Sequence, residues 1–293
     1  MKRAIAVRAA IIGSMAIVAA AVLFAVLFIG INGIGKISVR FLFTAPKGFA
    51  VNEGGIFPAI AATLYLGIIA GITGLMGALP VSFSVCFFVK NKQMCSFIRF
   101  LLHTLAAIPS IILGLFGYTV FVRYAGLGKS LLAGGLTLGI MIFPFLEQRI
   151  EKAVTEIDEM LILSAYGMGL SKRYIIMHIA LPLIKGDIIR AAALYISFAM
   201  GATAPIILTA AVLIAPVPTR LTDPVMALPY HLYLLVSEGI DMESAYATAF
   251  VLLALVLCIN AAAAYLNVRS HTGLSNSRFQ QKRKENDDMS YRS

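Results

Sequence analysis

Ser197, Thr203 and Thr209 are hydroxyl side chains in a charge-free stretch from 191 to 219, which they share with Gly201 and Pro205. Hydroxyls donate hydrogen bonds to the oxygens of an anion, and a glycine and a proline at mid-stretch weaken a helix and free backbone groups to line a polar cavity. Such a stretch offers hydroxyls to a polar cavity but no group for bond making. The same hydroxyls can instead bond back to a carbonyl one turn earlier in their own helix. Catalysis has little to stand on. His103, His178, His231 and His271 are scattered without a metal-ligand spacing, and Cys86, Cys95 and Cys258 are placed for neither a metal cluster nor a disulfide framework. The sequence has no G-x-S-x-G elbow, no phosphate-binding G-x-x-x-x-G-K-[ST] loop and no carboxylate pair within an apolar stretch. No catalytic residue, metal or cofactor is therefore expected, and any ATP must be hydrolysed by another chain.

Residues of this kind need a membrane to work in, and the composition supplies one. Of 293 residues, 60% are apolar and 13% charged, with a net charge of +10. A soluble core would need roughly twice that charged fraction, and a nucleic-acid binder far fewer aliphatics. Six stretches between charges, 9–35, 54–89, 100–122, 130–146, 191–219 and 244–268, are each long enough to span about 30 Å of hydrocarbon. The 54–89 stretch exceeds one span, so Gly54-Gly55 and Pro58 read as an interfacial lead-in to a helix ending near Val89. The first stretch is too long for a signal-peptide core and is read as an uncleaved helix. With the N-terminus in the cytoplasm, six spans put 18 of the 24 basic residues inside, which favours cytoplasmic location of both termini. The fold class is thus all-α, a multi-pass protein of the inner membrane. The chain divides into an N-terminal helix with an external loop (1–53), a five-span core (54–268) and a basic tail (269–293), read as solvated, partly irregular and close to anionic lipid.

The connection 147–190 is more than a linker. Its helical periodicity around Ile157, Met160, Leu161, Ser164 and Ala165, with Gly167 and Gly169 following, predicts a pair of docked helices, the second beginning at Ser171 and closed by Leu181-Pro182. Ser164-Ala165, then Gly169, then Ile179, Leu181 and Pro182 reproduce the spacing A-A-x3-G-x9-I-x-L-P. This resembles the cytoplasmic coupling loop of ABC importer permeases. With Gly54 to Ile60, Pro109 to Gly117, Leu132 to Leu138 and Met226 to Pro229, the chain is similar to permeases of the phosphate-uptake family from about Gly54 to Ala264.

The resemblance implies a type I ABC importer permease fold with six transmembrane helices. It also implies three kinds of partner besides membrane lipid: a second permease subunit, ATP-binding cassette subunits and an external substrate-binding protein. Leu161, Ser164, Ala165, Gly169, Leu181 and Pro182 would dock the ATPase as a small-residue, apolar face seated in a groove. The outer loop from Ala215 to Glu243, rigid with Pro216, Pro218 and Pro224, would face the binding protein. Glycines at 67, 71, 74 and 77, and at 135 and 139, would let helices pack closely. Three positions depart from the pattern. Leu163 stands where the family carries a glutamate in the coupling motif, and Phe198 and Ala202 stand where its fifth span carries an arginine and a glutamate. An importer subunit for phosphate is the leading expectation. A permease-like scaffold or sensor, or an importer of another small solute, is the alternative that the lost charges motivate.

Overall fold

The structure, a computed structural model, describes residues 2–46 and 54–290, with side chains at Arg8, 11–46 and 54–266. Lys47 and the rest of the external loop to residue 53 lie outside the described residues, as do 291–293. Among the described residues four helices are long and apolar enough to cross a membrane, and all four match expected spans: Ile11–Lys36, Phe57–Phe87, Leu131–Thr155 and Met242–Leu266. They belong to α1 (Lys2–Gly33), α3 (Phe57–Phe87), α6 (Leu131–Thr155) and α12 (Met242–Ser290). Two more short helices precede α6, α4 (Lys92–Ala106) and α5 (Ser110–Gly117), while α2 (Val39–Phe43) leads towards α3.

The remaining two expected spans take broken forms. The 100–122 stretch is a bent pair, Lys92–Ala106 followed by Ser110–Tyr124 at 95°, because Pro109 cannot continue a helix and Ser110 starts a new one. The 191–219 stretch is divided between α9 (Leu181–Met200) and α10 (Ala204–Thr209). Pro205 therefore does not kink a continuous helix; it occupies the first turn of a new one, where its missing N–H costs nothing.

The centre of the protein is α3, α6 and α9. A Cβ on Gly67 would lie 2.8 Å from Met200 Cγ, and one on Gly74 would lie 2.9 Å from Leu146 Cδ1. Gly135 and Gly139 meet Ile69 and Thr73 of α3 just as closely. The glycine stripes thus let side chains of the facing helix sit directly on the glycine backbone, as expected where van der Waals packing rather than water exclusion drives association. Leu138, Ile142, Leu146 and Ile150 form the buried face of α6 at that contact. α1 and α12 pack on each other, with Phe28 edge-on to Tyr246 at 5.7 Å; α12 also packs on α9 and α11, and α1 leaves most of its apolar side chains outward, as lipid-facing helices do.

Two loop expectations are corrected. The outer segment 215–243 holds α11 (Leu228–Ser237), which starts at the Leu228-Pro229 pair and buries Leu228, His231, Leu234 and Leu235. The tail, expected to be solvated and partly irregular, continues α12 in helical backbone to Ser290.

Candidate coupling surface and translocation cavity

Asp158 caps α7 (Glu159–Gly167), its side chain accepting from the Met160 N–H at 2.9 Å. At the other end Leu170 N–H donates to Ala165 O at 3.2 Å, and Gly169 N–H donates to Tyr166 O at 2.9 Å. Gly169 sits at φ +77 between them. This pair of bonds around a left-handed residue is the Schellman ending of a helix, so the glycine four residues after Ala165 is required by the backbone. A Cβ there would meet nothing within 4 Å. Ser171 then caps α8 (Lys172–Ile175), accepting from Tyr174 N–H at 3.3 Å. The helix pair is therefore present. Leu181-Pro182 does not close it, however: α8 passes through a π-helical turn (Ile176–Ala180) into α9, with proline tolerated in the first turn of the α-helical part.

The outward face of this pair differs from the one expected to dock. Ala165 is only 1% exposed, packed within its own chain, and does not belong to an outer face. Leu161 and Ser164 are exposed, and Met160, Leu163 and Met168 are exposed with them. One contact missed in the sequence ties this unit to the membrane core: Lys172 Nζ donates to Phe87 O at 2.9 Å and lies 5.2 Å from the centre of the Phe88 ring. The ammonium thus neutralises a carbonyl at the C-terminal end of α3, where a cation is favoured.

A cavity of about 540 Å³ opens among α1, α5, α6, α9, α11 and α12. Ser197, Phe198, Gly201 and Ala202 line it together, opposite Ser110, Leu232 and Leu252. Ser197 Oγ accepts from Asn260 Nδ2 at 2.9 Å, and the same amide donates to Val256 O. Asn260 was legible only as an amide in the last apolar stretch; nothing in its spacing points at Ser197. Thr209 is fully buried and bonds back to Pro205 O at 2.8 Å, so it follows the bland alternative. Thr203 and Pro205 lie beside the break but outside the cavity lining. Phe198 stacks edge-on against Phe145 at 6.0 Å, and Phe145 stacks on Tyr195 at 5.7 Å. Where the resemblance places two charges, this wall has an aromatic cluster and a methyl group.

On the outer side, Asp223 Oδ2 accepts from the backbone N–H groups of Arg220 at 2.8 Å and Thr219 at 2.9 Å. These bonds hold its carboxyl below the usual carboxylate range. The turn so fixed delivers Asp223 O to Leu131 N–H at 2.8 Å and Leu221 O to Leu132 N–H, satisfying two free donors at the start of α6. Arg220 and Tyr65 line a second cavity of about 330 Å³ there.

Broken apolar helices around a cavity, with a capped helix pair beside the long apolar helices, are the architecture of a multi-span membrane permease. The sequence from residue 74 to 271 matches the family of binding-protein-dependent transport system inner membrane components, and the chain belongs to that family. It is 31% identical over 216 residues to the "Probable phosphate transport system permease protein PstA" of Methanocaldococcus jannaschii, covering 71% of this chain and 74% of that one. It is 33% identical over 191 residues to a phosphate transport system permease PstA homolog of Mycoplasma pneumoniae; the match spans 63% of this chain and only 29% of that protein. The fold matches a chain of a bacterial alginate ABC transporter crystallised with its periplasmic protein, at a TM-score of 0.63 and 15% identity over 88% of this chain and 94% of that one. The expected type I ABC importer permease fold is borne out.

Proposed function

We propose that the chain is one membrane-spanning half of an ATP-driven importer of phosphate. It pairs with a second permease subunit, receives solute from an external binding protein and docks an ATP-binding cassette subunit at α7. The observation that carries the reading is the geometry of α7: a capped helix ending in a Schellman turn, with Met160, Leu163 and Ser164 outward and Lys172 tied to the end of α3. A helix held in this way can transmit displacement at its outer face to the membrane core. Phosphate as the solute is supported by the two phosphate-permease relatives. The pathway contacts from this chain are Ser197 and Gly201, with Thr203 flanking the break. Thr209 and Pro205 have structural roles.

The decisive experiment is ATP-driven uptake of labelled phosphate into vesicles that contain this chain, a second permease, the ATPase and the binding protein. Uptake that competes with neither sulfate nor molybdate supports the reading, and absence of phosphate uptake from an assembled, ATP-hydrolysing complex refutes it. The apolar wall at Phe198 and Ala202 favours a second reading, import of a less highly charged solute, which the same vesicles test by competition.

A further inference from the structure

Glu147, on α6 near its cytoplasmic end, is fully buried, and its Oε2 has no hydrogen-bond partner. Its other oxygen lies 3.4 Å from Ser82 Oγ, a hydroxyl whose one proton is shared with Ala78 O at 2.8 Å and the Glu147 carbonyl at 3.1 Å. One turn further along α6, Glu151 is paired with Arg99, whose Nε and Nη2 both donate to Glu151 Oε1 at 2.8 and 2.6 Å. The two carboxylates therefore face a single guanidinium, and Glu151 holds it. Around Glu147 the ionisable or charged groups are Cys86 from α3, Arg99 and His103 from α4, and Glu151 and Lys152 from α6 itself. The charged residues of α9 (Lys185, Asp187 and Arg190) do not line this site, and Arg190 pairs with Asp187. Glu147, His103, Glu151 and Lys152 share a cavity of about 320 Å³, room for several waters at about 30 Å³ each.

A buried carboxylate without a bonded cation is among the costliest groups a protein can hold, and it loses that cost by taking up a proton. We propose that Glu147 is a proton-binding site: within the folded protein its carboxyl carries a proton at neutral pH and exchanges it with water in the adjoining cavity. Binding forms one O–H bond at Oε2 and leaves the Arg99–Glu151 pair as an internally neutral unit. Release sends H⁺ to the cavity water and leaves a negative charge beside Glu151. The site lies where α3, α4 and α6 meet, so its charge state changes the stability of that junction, independently of the solute proposed above.

The test uses the full chain in phosphatidylcholine nanodiscs. Infrared spectra at neutral pH are expected to show the carbonyl stretch of a protonated carboxylic acid in wild type and to lose it in Glu147→Gln, while Glu151→Gln, which removes the neighbouring negative charge and releases Arg99, should weaken it. Because the folded state holds a proton that the unfolded chain has released, stability should fall as pH rises from the ordinary carboxylate range towards neutrality, up to tenfold in the unfolding equilibrium per pH unit, and level off once the folded carboxyl has released its proton too. Glu147→Gln should flatten this dependence. Ser82→Ala removes a donor that favours the charged form, so the infrared titration of that variant should move to higher pH even if Glu147→Gln does not accumulate. The proposal is overturned by a wild-type spectrum without the protonated band, by Glu147→Gln tracking wild type across pH, or by stabilisation from Na⁺ or K⁺ at fixed pH that this variant loses.

Discussion

Gly169 separates two explanations of the coupling motif, because the residue can be small for the sake of a docking partner or glycine for the sake of its backbone. At φ +77 an L-residue pays about 1–2 kcal/mol that glycine does not. A Cβ built there meets nothing within 4 Å, so no clash inside the chain adds to this. The structure therefore predicts that Gly169→Ala weakens the end of α7 by about 1 kcal/mol, roughly a fivefold rise in local opening, and that Gly169→Val does so more strongly. Gly169→Asn should sit closest to wild type, because asparagine tolerates the left-handed region. Hydrogen exchange at the Gly169 and Leu170 amides, whose bonds to Tyr166 and Ala165 define the turn, reads this directly. In the assembled transporter, the ratio of ATP hydrolysed to solute moved should rise in the same order, Asn below Ala below Val. A docking requirement for smallness gives a different order, with Ala harmless and Asn worse. If Ala matches wild type in both exchange and coupling, the backbone explanation is wrong.

Leu163→Asp and Ser164→Trp alter exposed positions of α7, so both should insert and fold as wild type by thermal unfolding yet lower ATPase recruitment in co-purification. Lys172→Met removes the bond to Phe87 O while keeping the length of the side chain, and should reduce coupling several-fold with only a small loss of stability, about 1 kcal/mol for a charged hydrogen bond at this half-buried site. Gly139→Val forces a side chain into Thr73 and should separate α3 from α6, at a cost of about 1–3 kcal/mol or failure to accumulate in the membrane, read by expression and unfolding. Acid should loosen the 219–223 turn. The Asp223 carboxyl lies below its unfolded range, so its contribution is present above that range and is lost as pH falls through the folded value. Faster exchange of the Thr219 and Arg220 amides at low pH, abolished as a pH effect in Asp223→Asn, checks it.

What could be read from the sequence was whatever depends on local composition. Runs without charge are set by hydrocarbon thickness, so α1, α3, α6 and α12 fall on expected stretches. Glycine stripes are set by helix period, and Gly67 to Gly77 do meet α6 and α9. Breaks were harder, because Pro109 and Pro205 announce an interruption without saying whether the chain bends, restarts or turns back. α11 was hidden for the same reason, its apolar residues following three prolines that read as a loop. Residues paired across the fold left least trace. Asn260 and Ser197 are 63 positions apart, and Lys172 and Phe87 are 85 apart. Glu147 escaped because counting between charges ends a span at the first charge, whereas α6 continues to Thr155 and carries that carboxyl into the packed interior.

The wall at Phe198 sets a condition on any anion that uses this cavity. Its polar lining from this chain amounts to the hydroxyls of Ser110 and Ser197, and Asn260 already occupies the Ser197 oxygen. Ser197 still has its one proton to give to a solute. Two neutral donors do not offset the loss of water around a divalent oxyanion, which amounts to many kcal/mol in a low-dielectric site. If phosphate crosses here, cationic groups must come from the other half of the pathway, and this half acts as the surface against which the ion slides. Phe198→Arg then becomes informative. An arginine beside Phe145 and Tyr195 would stack on their faces and give the wall its own charge. In a pathway whose charge already resides on the partner, the added guanidinium should hold the anion more tightly and slow its release, lowering both KM and maximal uptake. In a pathway built for a neutral solute, the same change should abolish uptake of that solute without creating uptake of phosphate.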